Sequence, residues 1–160
     1  MGYISVSGTR FAALILGLEI SALLLPVVPS PAGAAEAKAN VTVSVSNLRN
    51  AKGQLMVCLT KNPKAFPDCS KDSAALKKLV PAGNAGNIVF TSVEAGTYAI
   101  AIVHDENSNN KMDLRIFIPR EGFGFSRNPT ITVGPPKFKS ASFTVGNSNV
   151  TQAVKMKYML

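Results

Sequence analysis

The chain has no tryptophan, one histidine and only two cysteines among its 160 residues, and each shortage closes a class of chemistry. A lone His104 makes no histidine cluster for zinc. Cys58 and Cys69 stand too far apart for a redox C-x-x-C pair. Without tryptophan the sequence lacks the aromatic groove of a sugar-cleaving site, so Glu106 and Glu121 do not read as a glycosidase carboxylate pair. No G-x-S-x-G elbow offers a serine for His104 to activate. Acidic residues are scarce as well: 9 against 17 lysines and arginines, for a net charge of +8. That surplus favours anionic partners. The basic residues form no run, however, and no nucleic-acid-binding motif accompanies them, so nucleic acid is not the expected partner.

Long apolar runs are also rare. One spans Phe11 to Leu25, preceded by Arg10 and stopped by Pro26, Pro29 and Pro31. Ala32-Gly33-Ala34-Ala35 then gives the small-residue spacing that a signal peptidase accepts. The run is shorter than a membrane span needs and contains Glu19, so residues 1–35 are expected to be a cleaved signal peptide. Residues 36–160 would then be a single domain, periplasmic or secreted, that does not span the membrane. Cleavage removes Arg10 and Glu19 together and leaves the surplus at +8. In an oxidising compartment Cys58 and Cys69 are expected to pair.

The remaining pattern has a period of two. Val41, Val43 and Val45 alternate with Thr42, Ser44 and Ser46, Leu55, Val57 and Leu59 with Met56, Cys58 and Thr60, and the two stretches read as strands of a hairpin turning over Asn47 to Gly53. Ser73 to Val80 fits one or two helical turns. Ile88 to Thr91 is a short strand, and Tyr98 to Val103, apolar on both sides, is a central one. Ile131 to Val133 and Ser142 to Val145 read as further short strands. The last strand carries Val150, Val154, Met156 and Tyr158 on one face. About seven short strands separated by turn signals predict an all-β fold, a two-sheet antiparallel sandwich.

Behind the central strand lies His104-Asp105-Glu106-Asn107-Ser108-Asn109-Asn110-Lys111-Met112-Asp113. Oxygen side chains fall at Asp105, Asn107, Asn109 and Asp113, with the Lys111 carbonyl between. This is the spacing of a calcium loop, in which six to eight oxygens surround the ion. Two features weaken it: Asn110 stands where glycine suits the turn, and Ile116 where a glutamate would complete the shell. The expectation is either a loop tied by its own Asx turns or a site holding calcium only weakly, near the 10⁻⁴–10⁻³ M of extracellular modules.

By alternation His104 shares a face with Tyr98, Ile100 and Ile102, which predicts a buried histidine that orients the loop. Phe123 and Phe125 alternate with Gly122 and Gly124, so the rings are expected to plug the core beneath the loop while the glycines admit a close neighbour. Two other arrangements stay open. His104 with Asp105 and Glu121 would make an envelope enzyme. Phe123, Phe125 and Tyr98 lining one space would make a carrier of a small apolar ligand.

Several segments together carry a resemblance: G-Q-L-M-V-C-L-T, the Phe66-Pro67-Asp68-Cys69 turn, G-T-Y-A-I-A-I-V-H-D-E-N-S-N-N-K-M-D, and I-P-R-E-G-F-G-F-S-R-N. In that order, from Val41 to about Tyr158, they resemble domain-of-unknown-function family 2141 of bacterial exported proteins. Typical members carry glycines beside the loop asparagines, where this chain has Ser108 and Asn110. The resemblance implies a secreted β-sandwich of prealbumin-like or immunoglobulin-like form, with no activity established. Together with the residues it leads to a non-enzymatic binding or accessory module of the cell envelope. Its expected partner is an envelope protein or an anionic surface component.

Overall fold

The computed structural model describes residues 38–160, together with positions 2 and 8. The expected signal peptide, residues 1–35, lies outside the described residues. From Lys38 onward the chain forms one unit built on two sheets. The first has the order β10-β1-β4, from Val150–Lys155, Lys38–Ser46 and Ile88–Glu94. The second has the order β3-β2-β5-β8, from Leu76–Pro81, Gln54–Thr60, Gly96–Asp105 and Gly122–Phe125, and β9 (Phe143–Val145) pairs with the start of β5. A small separate hairpin joins β6 (Leu114–Arg115) and β7 (Ile118–Pro119). The all-β sandwich is thus present, with one departure from antiparallel pairing: β10 runs parallel to β1.

The core between the sheets is made by the alternation itself. Val41, Val43 and Val45 of β1 face inward with Leu55, Val57 and Leu59 of β2, Ile100 and Ile102 of β5, and Val154 and Met156 near the end of the chain. Each such side chain adds about 1.5–3 kcal/mol when taken from water. The stretches around Asn47 to Gly53 do not form a hairpin, however. β1 pairs with β4 and β10, whereas β2 pairs with β3 and β5. Two strands with one apolar face each can bury those faces by lying opposite one another, and here they do. Gly53 makes the crossing possible. Its φ is +66°, and a Cβ there would strike the backbone of Asp105 and Glu106.

Three other local expectations are corrected. Residues 76–81 are a strand on the edge of the second sheet, not helical turns. An isolated turn or two has too costly a nucleus to compete with the free edge of β2, and Lys77 and Lys78 guard the new edge against further pairing. Residues 131–133 form no strand: Val133 is 94% exposed, while Ile131 drops onto apolar neighbours. Phe138–Ala141 makes one helical turn, α1, so the strand that follows begins at Phe143.

β5 is buried on both faces, as its two-sided apolar pattern requires. On its outer face Ala99 and Ala101 leave room for Phe123 and Phe125 of β8 and for Ala141 of α1, with Phe66, Met112, Ile131 and Phe138 packed around them. Phe66 meets Phe125 and Phe138 edge-on at 5.7 and 5.9 Å between ring centres, a preferred aromatic geometry. Ser126, fully buried, accepts the Ile100 N–H at 2.9 Å and donates to the Ala141 carbonyl, which ties α1 to β5. The disulfide joins Cys58 of β2 to Cys69 at the start of a short 3₁₀ turn. Closing a loop of that length stabilises by about 3 kcal/mol in the chain-entropy picture.

Gly122 and Gly124 face the terminal segment. A Cβ on Gly124 would lie 2.7 Å from Val154 Cγ1, and one on Gly122 would enter the Tyr158 ring. Without them the terminal chain can approach closely enough for Phe123 and Lys157 to exchange two backbone hydrogen bonds, at 3.0 and 2.8 Å. Gly122→Ala is therefore expected to destabilise the fold by about 1–3 kcal/mol, as overpacking does. Urea unfolding checks this; a midpoint equal to that of the natural chain would refute the close-approach role.

Candidate functional site

The polar loop closes one end of the sandwich, where β5 runs out at Asp105 and β2 begins at Gln54, its partner in register. Asp105 has no solvent exposure. Its carboxylate accepts the backbone N–H of Asn109 at 3.0 Å and of Asn110 at 2.8 Å, and the Gln54 amide at 2.9 Å. Ser108 and Asn110 take positive φ of 57° and 61° to aim those groups inward. Burial works to raise the pKa of Asp105, but the bonds from Gln54 and from the loop N–H groups outweigh it and hold the carboxyl below its ordinary 3.8.

The loop then ties itself. Asn107 Oδ1 accepts the Asn109 N–H at 3.1 Å, and Asn109 Oδ1 accepts the Lys111 N–H at 2.9 Å. These backbone donors fix both amide orientations, so each NH₂ group points at Asp113, at 2.8 Å from Asn107 and 3.1 Å from Asn109. Asp105, Asn107, Asn109 and Asp113 are thus brought together, with Lys111 held by its backbone N–H. Two amide donors occupy the side from which a cation would need oxygens. Among the described residues no three His, Cys, Asp or Glu side chains gather closely enough to hold a metal ion.

His104 is buried, with Nε2 2.8 Å from the Lys52 carbonyl and Nδ1 2.8 Å from the Tyr158 hydroxyl. A carbonyl only accepts, so Nε2 carries a proton, and Nδ1 pairs with the Tyr158 hydroxyl. Neither nitrogen bonds Asp105 or Glu121. The Tyr158 hydroxyl also accepts the Arg49 N–H at 3.2 Å, and burial keeps its phenol protonated by raising its pKa. Arg49 stacks over the Tyr158 ring at 4.6 Å and grips both oxygens of Glu106, which Asn50 also bonds. The Arg49 bond chiefly holds the Glu106 carboxyl below its ordinary 4.5.

Glu121 is the exception. It is 4% exposed, and one oxygen accepts the Asp113 N–H at 3.0 Å while the other, Oε1, has no partner. Burial first, and then the charges of Asp105 and Asp113, push its pKa above the ordinary 4.5. It borders a polar cleft of about 230 Å³ with Arg49, Glu106, Asn107, Asp113 and Arg120.

The proposed carrier lining does not converge. Tyr98 belongs to the core between the sheets, whereas Phe123 and Phe125 lie in the outer cluster. A larger cleft of about 450 Å³ sits at the other end of β2 and β5, bordered by Lys61, Asp72, Leu76, Glu94 and Tyr98. Gln54, Arg49 and Asn50 escaped sequence reasoning, because nothing local marks a residue that serves a loop more than fifty positions away. Tyr158 was visible only as an inward position of the last strand.

With this loop and the G-F-G-F strand beside it in place, residues 43–153 match a set described as uncharacterised proteins conserved in bacteria. The chain belongs to domain-of-unknown-function family 2141. Among curated proteins and among solved structures nothing matches the chain. In this member of family 2141 the described residues contain no helix long and apolar enough to cross a membrane.

Asp105→Ala takes an acceptor from three donors, leaves the Asn110 N–H without one, and is expected to cost roughly 2–4 kcal/mol in urea unfolding at neutral pH. In the natural chain the Asp105 and Glu106 contributions are fully present above 3.8 and 4.5 and are lost as pH falls through the lower folded values. Glu121 has the opposite sign: ionised, it opposes folding, and that penalty grows as pH rises from 4.5 through its raised folded value. Glu121→Gln keeps an acceptor for Asp113 and removes the charge. Its Tm relative to the natural chain should therefore rise from acid to mildly alkaline pH; a pH-independent difference would contradict the buried-charge account.

Proposed function

We propose that this member of family 2141 is an exported, non-catalytic binding or accessory module of the bacterial cell envelope. The observation that carries this is the engagement of its polar crest. Both His104 nitrogens, the Asp105 carboxylate and the Glu106 carboxylate already hold structural partners, and Glu121 Oε1, without a partner among the described residues, is buried. A general base needs a lone pair within reach of a substrate proton. The contrasting envelope enzyme, with His104, Asp105 and Glu121 acting together, would require His104 to leave Lys52 and Tyr158. The Cys58–Cys69 bond supports an oxidising compartment, periplasmic or extracellular. The +8 surplus suits an envelope protein or an anionic surface component as partner.

Cell fractionation with N-terminal sequencing and thiol titration tests the proposal. The expected product lies outside the cytoplasm, begins near Ala35 or Glu36 and has no free thiol. A cytoplasmic chain that keeps its first 35 residues and two reduced cysteines would overturn it. Calcium is the second measurement. A self-tied loop predicts the same Tm in millimolar calcium and in chelator. A rise with calcium, by mass action on the native state, would mean that the amides swing over and that Asp105, Asn107, Asn109, Asp113 and the Lys111 carbonyl surround an ion.

A further inference from the structure

The β6–β7 hairpin stands out from the sandwich with its apolar side chains in solvent. Leu114 is 56% exposed, Ile116 82%, Phe117 92% and Ile118 43%. The pairing of Arg115 with Ile118 leaves Ile116 and Phe117 as a two-residue turn, with φ of 48° and 68°. Positive φ at both central positions is the primed turn that favours Asn-Gly, and a β-branched residue there is strained. A turn selected only to reverse the chain would not carry isoleucine and phenylalanine. Both large side chains are instead held outward at the tip, against local preference.

The base of the hairpin is hydrogen-bonded to the polar loop. The Arg120 N–H donates to the Asp113 carbonyl at 2.9 Å, and the Asp113 N–H donates to Glu121 at 3.0 Å. The Arg120 carbonyl also accepts from Arg49 at 2.9 Å. The tip is therefore presented by the same network that closes the polar loop. Arg115 and Arg120 flank it, both exposed, and no acidic residue lies between residues 114 and 120.

We infer that this hairpin is a membrane-surface anchor, in which Ile116 and Phe117 enter the interface of an anionic phospholipid bilayer while Arg115 and Arg120 meet its headgroups. Apolar side chains at the tip with cations at the flanks match the two layers of such an interface. Charge complementarity extends to the whole chain at +8. Size also favours a bilayer: a stable protein interface takes about 800 Å² from each partner, more than the two tip side chains Ile116 and Phe117 supply, at about 150–250 Å² for an aromatic. A bilayer needs no complementary groove. The inference deepens the envelope-module proposal and depends on it for its setting, since lipid surface must be within reach where the protein resides.

Cosedimentation of the purified protein, in the form in which it accumulates, tests the anchor. Vesicles of mixed phosphatidylglycerol and phosphatidylethanolamine are compared with phosphatidylcholine vesicles. Binding is expected to the anionic vesicles, weakened by salt. The paired change Ile116→Asn and Phe117→Gly should reduce it by about tenfold or more while Tm holds or rises, because the new turn suits its backbone. Phe117→Trp places a single reporter in a chain without tryptophan, and its emission should shift to the blue on anionic vesicles. No vesicle binding by the natural chain, equal binding by the Asn-Gly variant, or an unshifted emission would each overturn the anchor. These measurements use purified components, so they can fail while export stands, and the fractionation result can fail whatever the vesicles show.

Discussion

The structure depends on the burial of two adjacent polar side chains, His104 and Asp105, at the end of its central strand. Neither has solvent exposure, so every partner lost to dehydration has to come from the protein. Those partners come from three separated places: Lys52 and Gln54 in and after the first crossing, the Asn109 and Asn110 backbone of the loop, and Tyr158 near the chain end. Satisfying one strand end thus fixes the crossing, the loop and the terminus together. Arg49 extends the network by joining Glu106, the Tyr158 ring and the Arg120 carbonyl.

That concentration of bonds is the ground for proposing the crest as a platform and not as a reaction centre. Its groups face one another, and the surplus donors of the loop backbone are consumed by Asp and Asn side chains. Beyond the exposed amides of the loop, the side chains that project from the hairpin the crest carries are apolar and cationic. A hydrogen-bonded base under an exposed tip lowers the ordering cost of binding, since less conformational freedom remains to be lost. The acid side of the stability profile should reflect two opposed tendencies, with Asp105 and Glu106 losing their contribution as protons bind while Glu121 gains relief.

Two apolar layers hold the platform level. The core between the sheets and the outer aromatic cluster share β5, whose alternating small and large residues fit a packed layer on each side. The outer cluster uses Ala99 and Ala101 as floor and Phe123 and Phe125 as filling, while Gly122 and Gly124 on the reverse of the same short strand admit Tyr158, Val154 and Met156. One four-residue strand therefore serves both layers, and small changes on either of its faces should be felt in the other.

Periodicity was enough to establish the sheet sandwich, the central place of residues 98–103, the inward face of His104 and the aromatic plug, because each is a property of one strand and its two faces. The loop's Asx turns, which act over two to five residues, were one of the two readings that its sequence left open beside a weak calcium site. Which face met which was not. Val41 to Val45 and Leu55 to Leu59 carry equal alternation whether they lie side by side or opposite, and only the free edges of β4, β5 and β10 decided for opposite. Residues 76–81 likewise became a strand because β2 had an edge to offer, whereas in residues 131–133 Ile131 packs on the outer cluster and Val133 stays in solvent. The partners Gln54, Arg49 and Tyr158, and the outward Ile116 and Phe117, were decided by tertiary structure for the same reason: hydrogen bonding and exposure depend on what a distant segment places beside a residue, and a local pattern holds no record of that distance.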